Sequence, residues 1–209
     1  FGAFLSKGVE LRLKGTANDY VGKGMSAGII TIRMPQLIRR QDKHHTVIGN
    51  VALYGSTGGQ IYVAGKGGER FAVRNSGASG VIEGIGNHGC EYMTNGTIVI
   101  LGKIGSNFGA GMTGGVTFVY TKNKSLKRYI NNDFIDESTL KNKDKNLVIR
   151  LIRNHVFHTD SSIGNRILKN WENEKNNFKK LSPKAVKIID LDSIYNQKTE
   201  NRMNIVLNE

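Results

Sequence analysis

Apolar residues in this chain fall in short, mostly β-branched runs, and glycine closes them. Such runs stand at 9–13 (VELRL), 29–33 (IITIR), 61–63, 81–83, 97–101 and 116–120. They alternate or stay apolar throughout, as strands do. Three of them end at Gly65, Gly84 and Gly102, a period of 19 and then 18 residues. A fixed period of this size marks a stack of similar turns. Eighteen of the 26 glycines lie between residues 55 and 115. They are expected to supply positive φ at corners and to let one coil's backbone approach the next. The runs are too short for helices, and the two-residue turns of a hairpin meander are missing. The pattern therefore predicts an all-β fold: a single-stranded parallel β-helix, or solenoid, with coils about 4.8 Å apart.

The solenoid is expected to occupy residues 1–120. Residues 35–48 (PQLIRRQDKHHTVI) interrupt it as a polar, glycine-free loop. The beat resumes at Val51-Ala52-Leu53-Tyr54. The chain opens inside a strand-like pattern without Met, which suggests a fragment whose N-terminal coil is missing. After Tyr120 only Gly164 remains, and Asn and Lys dominate. Residues 121–209 read as a loop (121–145), two short helices and an extended tail. The first helix spans 147–157, with apolar residues at helical spacing. The second starts from a Thr159-Asp160 cap and runs through Ile163, Ile167, Leu168 and Trp171. Together they form a C-terminal α-helical cap, expected to close the open end of the stack. A last extended segment is predicted at 185–189.

The formal charge of +13 raises nucleic acid or an acidic surface as a partner. The charge is spread, however: 12 Lys/Arg and 6 Asp/Glu before residue 121, and 18 and 11 after it. No block of five or six like charges occurs, so solvated faces explain it better and no nucleic-acid partner is expected. A lone Cys90 rules out an internal disulfide framework or a multi-cysteine metal site. No apolar run approaches the ~18 residues of a membrane helix, and no membrane partner is expected.

Two stretches, 84–89 (GIGNHG) and 109–114 (GAGMTG), match G-x-G-x-x-G, and 22–27 (GKGMSA) is a variant. A dinucleotide fingerprint must open a helix. Each match here leads into another strand, so solenoid corners explain them better. Cys90 beside His88 and Glu91 has the letters of an activated thiol, but reads as a small buried residue. His44-His45 could hold a metal only if a carboxylate joined it. His155, His158, Asp160 and Ser161 contain triad letters, but they lie together at a helix junction. Arg70 and Arg74 could pair with Glu69 and Glu83 across coils, or meet another domain. The sequons at Asn95 and Asn123 carry no signal of secretion.

Four strings, 17–33, 50–78, 83–102 and 107–120, resemble the C-terminal domain of the glutamate synthase large subunit. The resemblance extends more weakly over 147–190. It implies a right-handed parallel β-helix named for G-x-G-x-G repeats. It also implies a whole enzyme that forms two L-glutamates from L-glutamine and 2-oxoglutarate. That enzyme has an amidotransferase domain, an ammonia tunnel and a flavin barrel carrying FMN and a 3Fe–4S cluster. By the same resemblance this part is a scaffold between those domains. No catalytic, cofactor-binding or metal residue is expected in it, and Cys90 does not match the family's nucleophile or cluster cysteines. The Asn/Lys bias and the HTDSS string (158–162) favour the ferredoxin-dependent, plastid-type enzyme over the NADPH-dependent bacterial one. The expected partners are the remaining domains and ferredoxin, in a plastid stroma or alternatively a bacterial cytoplasm. Two other readings are a free-standing basic solenoid that binds nucleic acid or an acidic partner, and the β-helix subunit of formylmethanofuran dehydrogenase.

Overall fold

The structure is a computed structural model that describes residues 1–35, 45–123 and 125–184. In chain order the strands are β1 (Glu10–Lys14), β2 (Ile29–Arg33), β3 (Thr46–Ile48), β4 (Gln60–Ala64) and β5 (Lys66–Gly67). They continue with β6 (Ser76–Ile82), β7 (Asn95–Ile100), β8 (Val116–Tyr120), β9 (Ile135–Ser138) and β10 (Phe178–Pro183). Among the described residues three α-helices follow β9: α1 (Asn142–Thr159), α2 (Ser162–Lys169) and the single-turn α3 (Trp171–Glu174).

The main sheet runs β1-β2-β4-β6-β7-β8-β10-β9, and its first six strands are parallel. Each of those strands is one coil of a β-solenoid, as the glycine beat predicts. The register stacks like on like. Leu13, Ile32, Val63, Ile82, Ile100 and Val119 form one inward column. Ile30, Ile61, Gly80, Ile98 and Thr117 form the other. Gly80 interrupts its column because a Cβ there would lie 2.4 Å from Ile61 Cγ2. Each buried Ile or Val contributes about 1.5–3 kcal/mol relative to exposure, so the columns hold the stack together.

The corners differ from the sequence expectation. The sequence pattern places positive φ at glycine and a resumed apolar run at 51–54. In fact 51–54 is a turn, and non-glycine residues carry much of the left-handed backbone. Positive φ recurs at alternate residues: 20, 22, 24; then 51, 53, 55; 70, 72, 74; and 88, 90, 92. Only Gly22, Gly24 and Gly55 in those four triplets are glycine. The stack over-determines this strained backbone. The first and third N–H of each triplet donate to the next coil, as Val51 does to Glu69 O and Gly55 to Val73 O. The middle N–H donates to the previous coil, as Leu53 does to Val21 O. Left-handed backbone costs a non-glycine residue roughly 1–2 kcal/mol, and here each amide bond between coils offsets it. Alternation also sends Leu53, Ala72 and Cys90 inward, where all three are buried.

Outside the solenoid the sequence reading needs more adjustment. Residues 46–48, assigned to the loop, form β3 and pair with β5 in a small parallel sheet. Strand β10 turns antiparallel against β8, and β9 pairs antiparallel with β10. Neither β9 nor the Phe178–Pro183 strand was anticipated. Leu126, Ile130, Ile135 and Leu181 join the inner core beneath the last coil, and Phe108 bridges to Ile130. Helix α1 begins five residues earlier than the predicted 147. The helices do not sit over the end of the stack: α1 crosses the outer face of the main sheet. Its Val148, Leu151 and Ile152 cluster with Tyr62, Val81, Val99 and Phe118. The predicted segment 185–189 and the tail lie outside the described residues.

Candidate functional site

The alternating corner splits the Cys90 constellation. Cys90 points inward, fully buried, with Sγ 3.6 Å from Thr117 Oγ1. Burial pushes its thiol up to about 12, far from a thiolate at neutral pH. His88 and Glu91 face outward instead. His88 Nδ1 lies 2.7 Å from Glu91 Oε1, which also accepts a bond from Asn107 Nδ2 at 3.2 Å. Neither group addresses the sulfur.

The G-x-G-x-x-G segments spend their amides on neighbouring coils. Ile85 N donates to Lys103 O, Gly86 N to Gly68 O and His88 N to Ser106 O. Gly109 N donates to Gly89 O, while Thr113 and Gly114 both donate to Met93 O. Those donors are not available to a phosphate. A side-chain ladder reinforces the adjacent turn. Asn50 N donates to Asp19 Oδ1, Glu69 N to Asn50 Oδ1 and Ser106 N to Asn87 Oδ1, each at 2.8 Å.

The triad-letter residues meet partners that sequence reasoning missed. Glu83, at the end of the β6 run, accepts a bond from Ser161 Oγ and lies 3.5 Å from His155 Nε2. Tyr62, in the outward column, stacks on His158 with ring centroids 4.8 Å apart. Burial lowers the His158 pKa, while Glu10, with Oε1 3.4 Å from Nδ1, pulls it back up. Asp160 pairs with Arg33 of β2. Asp160 also ends α1 in the left-handed conformation, and Ser161, rather than Thr159 or Asp160, caps α2 by accepting from Gly164 N at 3.0 Å. The four residues are thus brought together, but as a polar seam binding helix to sheet. Tyr62 was discoverable: it is the one aromatic in an outward column of otherwise small or β-branched residues between Thr31 and Val99.

The proposed cross-coil pairs do not form. Glu69 accepts from Asn87 Nδ2 at 3.0 Å, and Glu83 is taken by the α1–α2 junction. His44 lies outside the described residues. Among the described residues no group of three His, Cys, Asp or Glu is close enough to hold a metal. No helix among them is long and apolar enough to cross a membrane. An iron–sulfur cluster is held by several cysteine thiolates, and this chain has one cysteine, buried and protonated. The chain's residues do not fit the cluster, and the committed corner amides do not fit a flavin phosphate.

The molecule is thus a glycine-cornered parallel β-solenoid with a helix laid on its sheet. The sequence profile described as the GXGXG motif matches residues 1–184, and the chain belongs to that family. It is 45% identical over 200 residues to the NADPH glutamate synthase large chain of Bacillus subtilis, covering 95% of this chain and 13% of that protein. It is 44% identical over 190 residues to the NADH glutamate synthase of Schizosaccharomyces pombe, covering 90% and 9%. It is 47% identical over 173 residues to a ferredoxin-dependent glutamate synthase of Arabidopsis thaliana, covering 82% and 11%. The chain thus spans about a tenth of the length of these relatives.

Proposed function

We propose that this chain is the C-terminal β-solenoid domain of a glutamate synthase, an oxidoreductase that forms two L-glutamates from L-glutamine and 2-oxoglutarate. In this reading the domain is a non-catalytic scaffold. The catalytic groups, FMN and the 3Fe–4S cluster belong to the amidotransferase and flavin-barrel domains of the same polypeptide. The observation that carries the reading is identity of 43–47% to such enzymes over most of the chain. It is supported by backbone amides tied into coil-to-coil bonds and side chains packed between helix and sheet. A rigid stack suits a spacer, because each coil fixes the next.

Reduced ferredoxin is the donor we infer, with a plastid stroma as the compartment. Identities to ferredoxin-dependent relatives (43–47%) overlap those to nicotinamide-dependent ones (44–45%). The donor inference therefore rests on the HTDSS string and the Asn/Lys bias. The reading frame upstream of Phe1 tests the whole proposal. It should run into a flavin barrel with a three-cysteine cluster motif. A start codon immediately before Phe1 would overturn it. Glutamate formation by the complete enzyme with reduced ferredoxin, against NADPH, tests the donor.

A further inference from the structure

Part of the positive charge gathers at a concave surface. A cleft of about 520 Å³ opens where the coil at 101–104, residues 119–123 and 126–129, and α2 meet. Pockets of this size hold small organic ligands. Four cations line it, Lys103, Lys122, Arg128 and Arg166, and they come from three separate elements. Arg166 is already engaged by Glu174 at 2.8 Å and lies over the Tyr120 ring. Two carboxylates stand beside the cleft: Glu174 also accepts from Tyr120 and Asn177, and Glu137 accepts from Leu126 N and Ser125 Oγ, each at 2.8 Å. Lys103, Lys122 and Arg128 have no carboxylate at ion-pair distance among the described residues. Arg128 instead lies over the Tyr129 ring, 4.6 Å from its centroid, which steadies the guanidinium.

The floor is apolar: Leu101, Ile104, Val119 and Leu126 line the cleft and are almost fully buried. Three cations around one concavity, none in a direct ion pair among the described residues, favour a multiply charged anion. A single carboxylate would neutralise one of them. A diphosphate would engage all three, and Arg and Lys both bind phosphate well. The apolar floor and the tyrosine rings then suit a flat organic group on the same molecule.

We propose that this cleft is a binding site for a di- or polyphosphate, with Lys103, Lys122 and Arg128 as its phosphate ligands. The site stands apart from the glutamate synthase reading and would hold if that reading failed.

The complete polypeptide that carries this segment is titrated calorimetrically with ADP and, separately, with pyrophosphate. Saturable binding is expected, weakened at least tenfold by K103A/K122A and falling steeply between 50 and 200 mM salt. ADP binding more tightly than pyrophosphate identifies a nucleotide site; equal affinities identify a site for the phosphates alone. Phenylglyoxal footprinting of the wild-type protein locates the ligand without any variant, since ADP or pyrophosphate should protect Arg128. Binding unchanged in K103A/K122A, or Arg128 equally reactive with and without ligand, overturns the proposal. So does an Arg128 already unreactive without ligand, because another part of the polypeptide then fills the cleft.

Discussion

On the inner face of the main sheet, Ile30, Ile61 and Ile98 pack with Leu53, Ala72 and Cys90 of the corners. On the outer face, Tyr62, Val81, Val99 and Phe118 pack against Val148, Leu151 and Ile152 of α1. The inner core is made by coils repeating one another. The outer core is made once, by a helix from outside the repeat. Repetition allows almost no side-chain volume at the coil contacts, whereas a helix on a sheet tolerates ordinary packing changes. Damage to the two faces should therefore differ in kind.

The largest effect is expected where coils touch backbone to backbone. A Cβ at Gly114 would lie 1.9 Å from Thr94 O, and one at Gly77 would lie 2.1 Å from Thr57 O. Neither oxygen can retreat without breaking its coil. Gly114→Ala is expected to cost about 4 kcal/mol or more in urea denaturation. Gly55→Ala is the control: nothing lies within 4 Å, and only its φ of 62° resists substitution. That change should cost about 1 kcal/mol. Equal losses at the two glycines would mean that backbone conformation, and not contact between coils, limits the stack.

Phe118→Ala comes next, at about 3–5 kcal/mol for a buried ring. Hydrogen exchange should show α1 losing protection before the parallel ladder does. If both lost protection together, the two cores would be a single cooperative unit and the contrast between them would fail.

The same contrast explains what could be read from the sequence. The parallel solenoid and the runs that form its main-sheet strands were legible because one period repeats and glycine marks it. The outer face carried a second signal that pattern reading passed over. The runs Ile61-Tyr62-Val63 and Ile98-Val99-Ile100 are buried on both faces, as parallel strands are when helices cover them. An apolar outward column predicts a helix on the sheet, where a stack-and-cap reading places it over the end. Strands β9 and β10 were not legible, since their polar pattern (IDES, FKKLSP) gains meaning only once β10 pairs with β8 and β9 with β10. The corners hid their conformation because Val51, Leu53 and Arg74 are unusual left-handed residues. Inter-coil amide bonds, which no local pattern encodes, help hold them there. The junction of Tyr62, Glu83, His155 and Ser161 joins residues up to 99 positions apart, and no local spacing announces it.

A smaller effect probes the corners. Arg74 is exposed at φ 54°, and its amide donates to Glu91 O. Arg74→Gly relieves the left-handed strain but adds freedom to the unfolded chain. The balance is a gain of about 0.5 kcal/mol or less, read as a higher urea midpoint. A loss above about 1 kcal/mol would show that the side chain, and not the stack, holds the corner.

The smallest effect concerns pH and belongs to the outer face alone. Burial beneath α1 is the main cause that lowers the His158 pKa, and Arg12 and His155 add to it. Glu10 opposes them, its own carboxylate held below the usual range chiefly by Arg12. The unfolded chain therefore takes up a proton at His158 more readily than the folded one. The stability contributed by neutral His158 is fully present above about pH 6.5 and is lost as pH falls toward the lower folded value. Glu10 titrates below that window, because its pKa is shifted down. Thermal melts at pH 5.5 should lie slightly below those at pH 7.5, and His158→Gln should flatten that slope while leaving the solenoid's exchange protection unchanged. A slope that survived in His158→Gln would show that the titrating group is not His158.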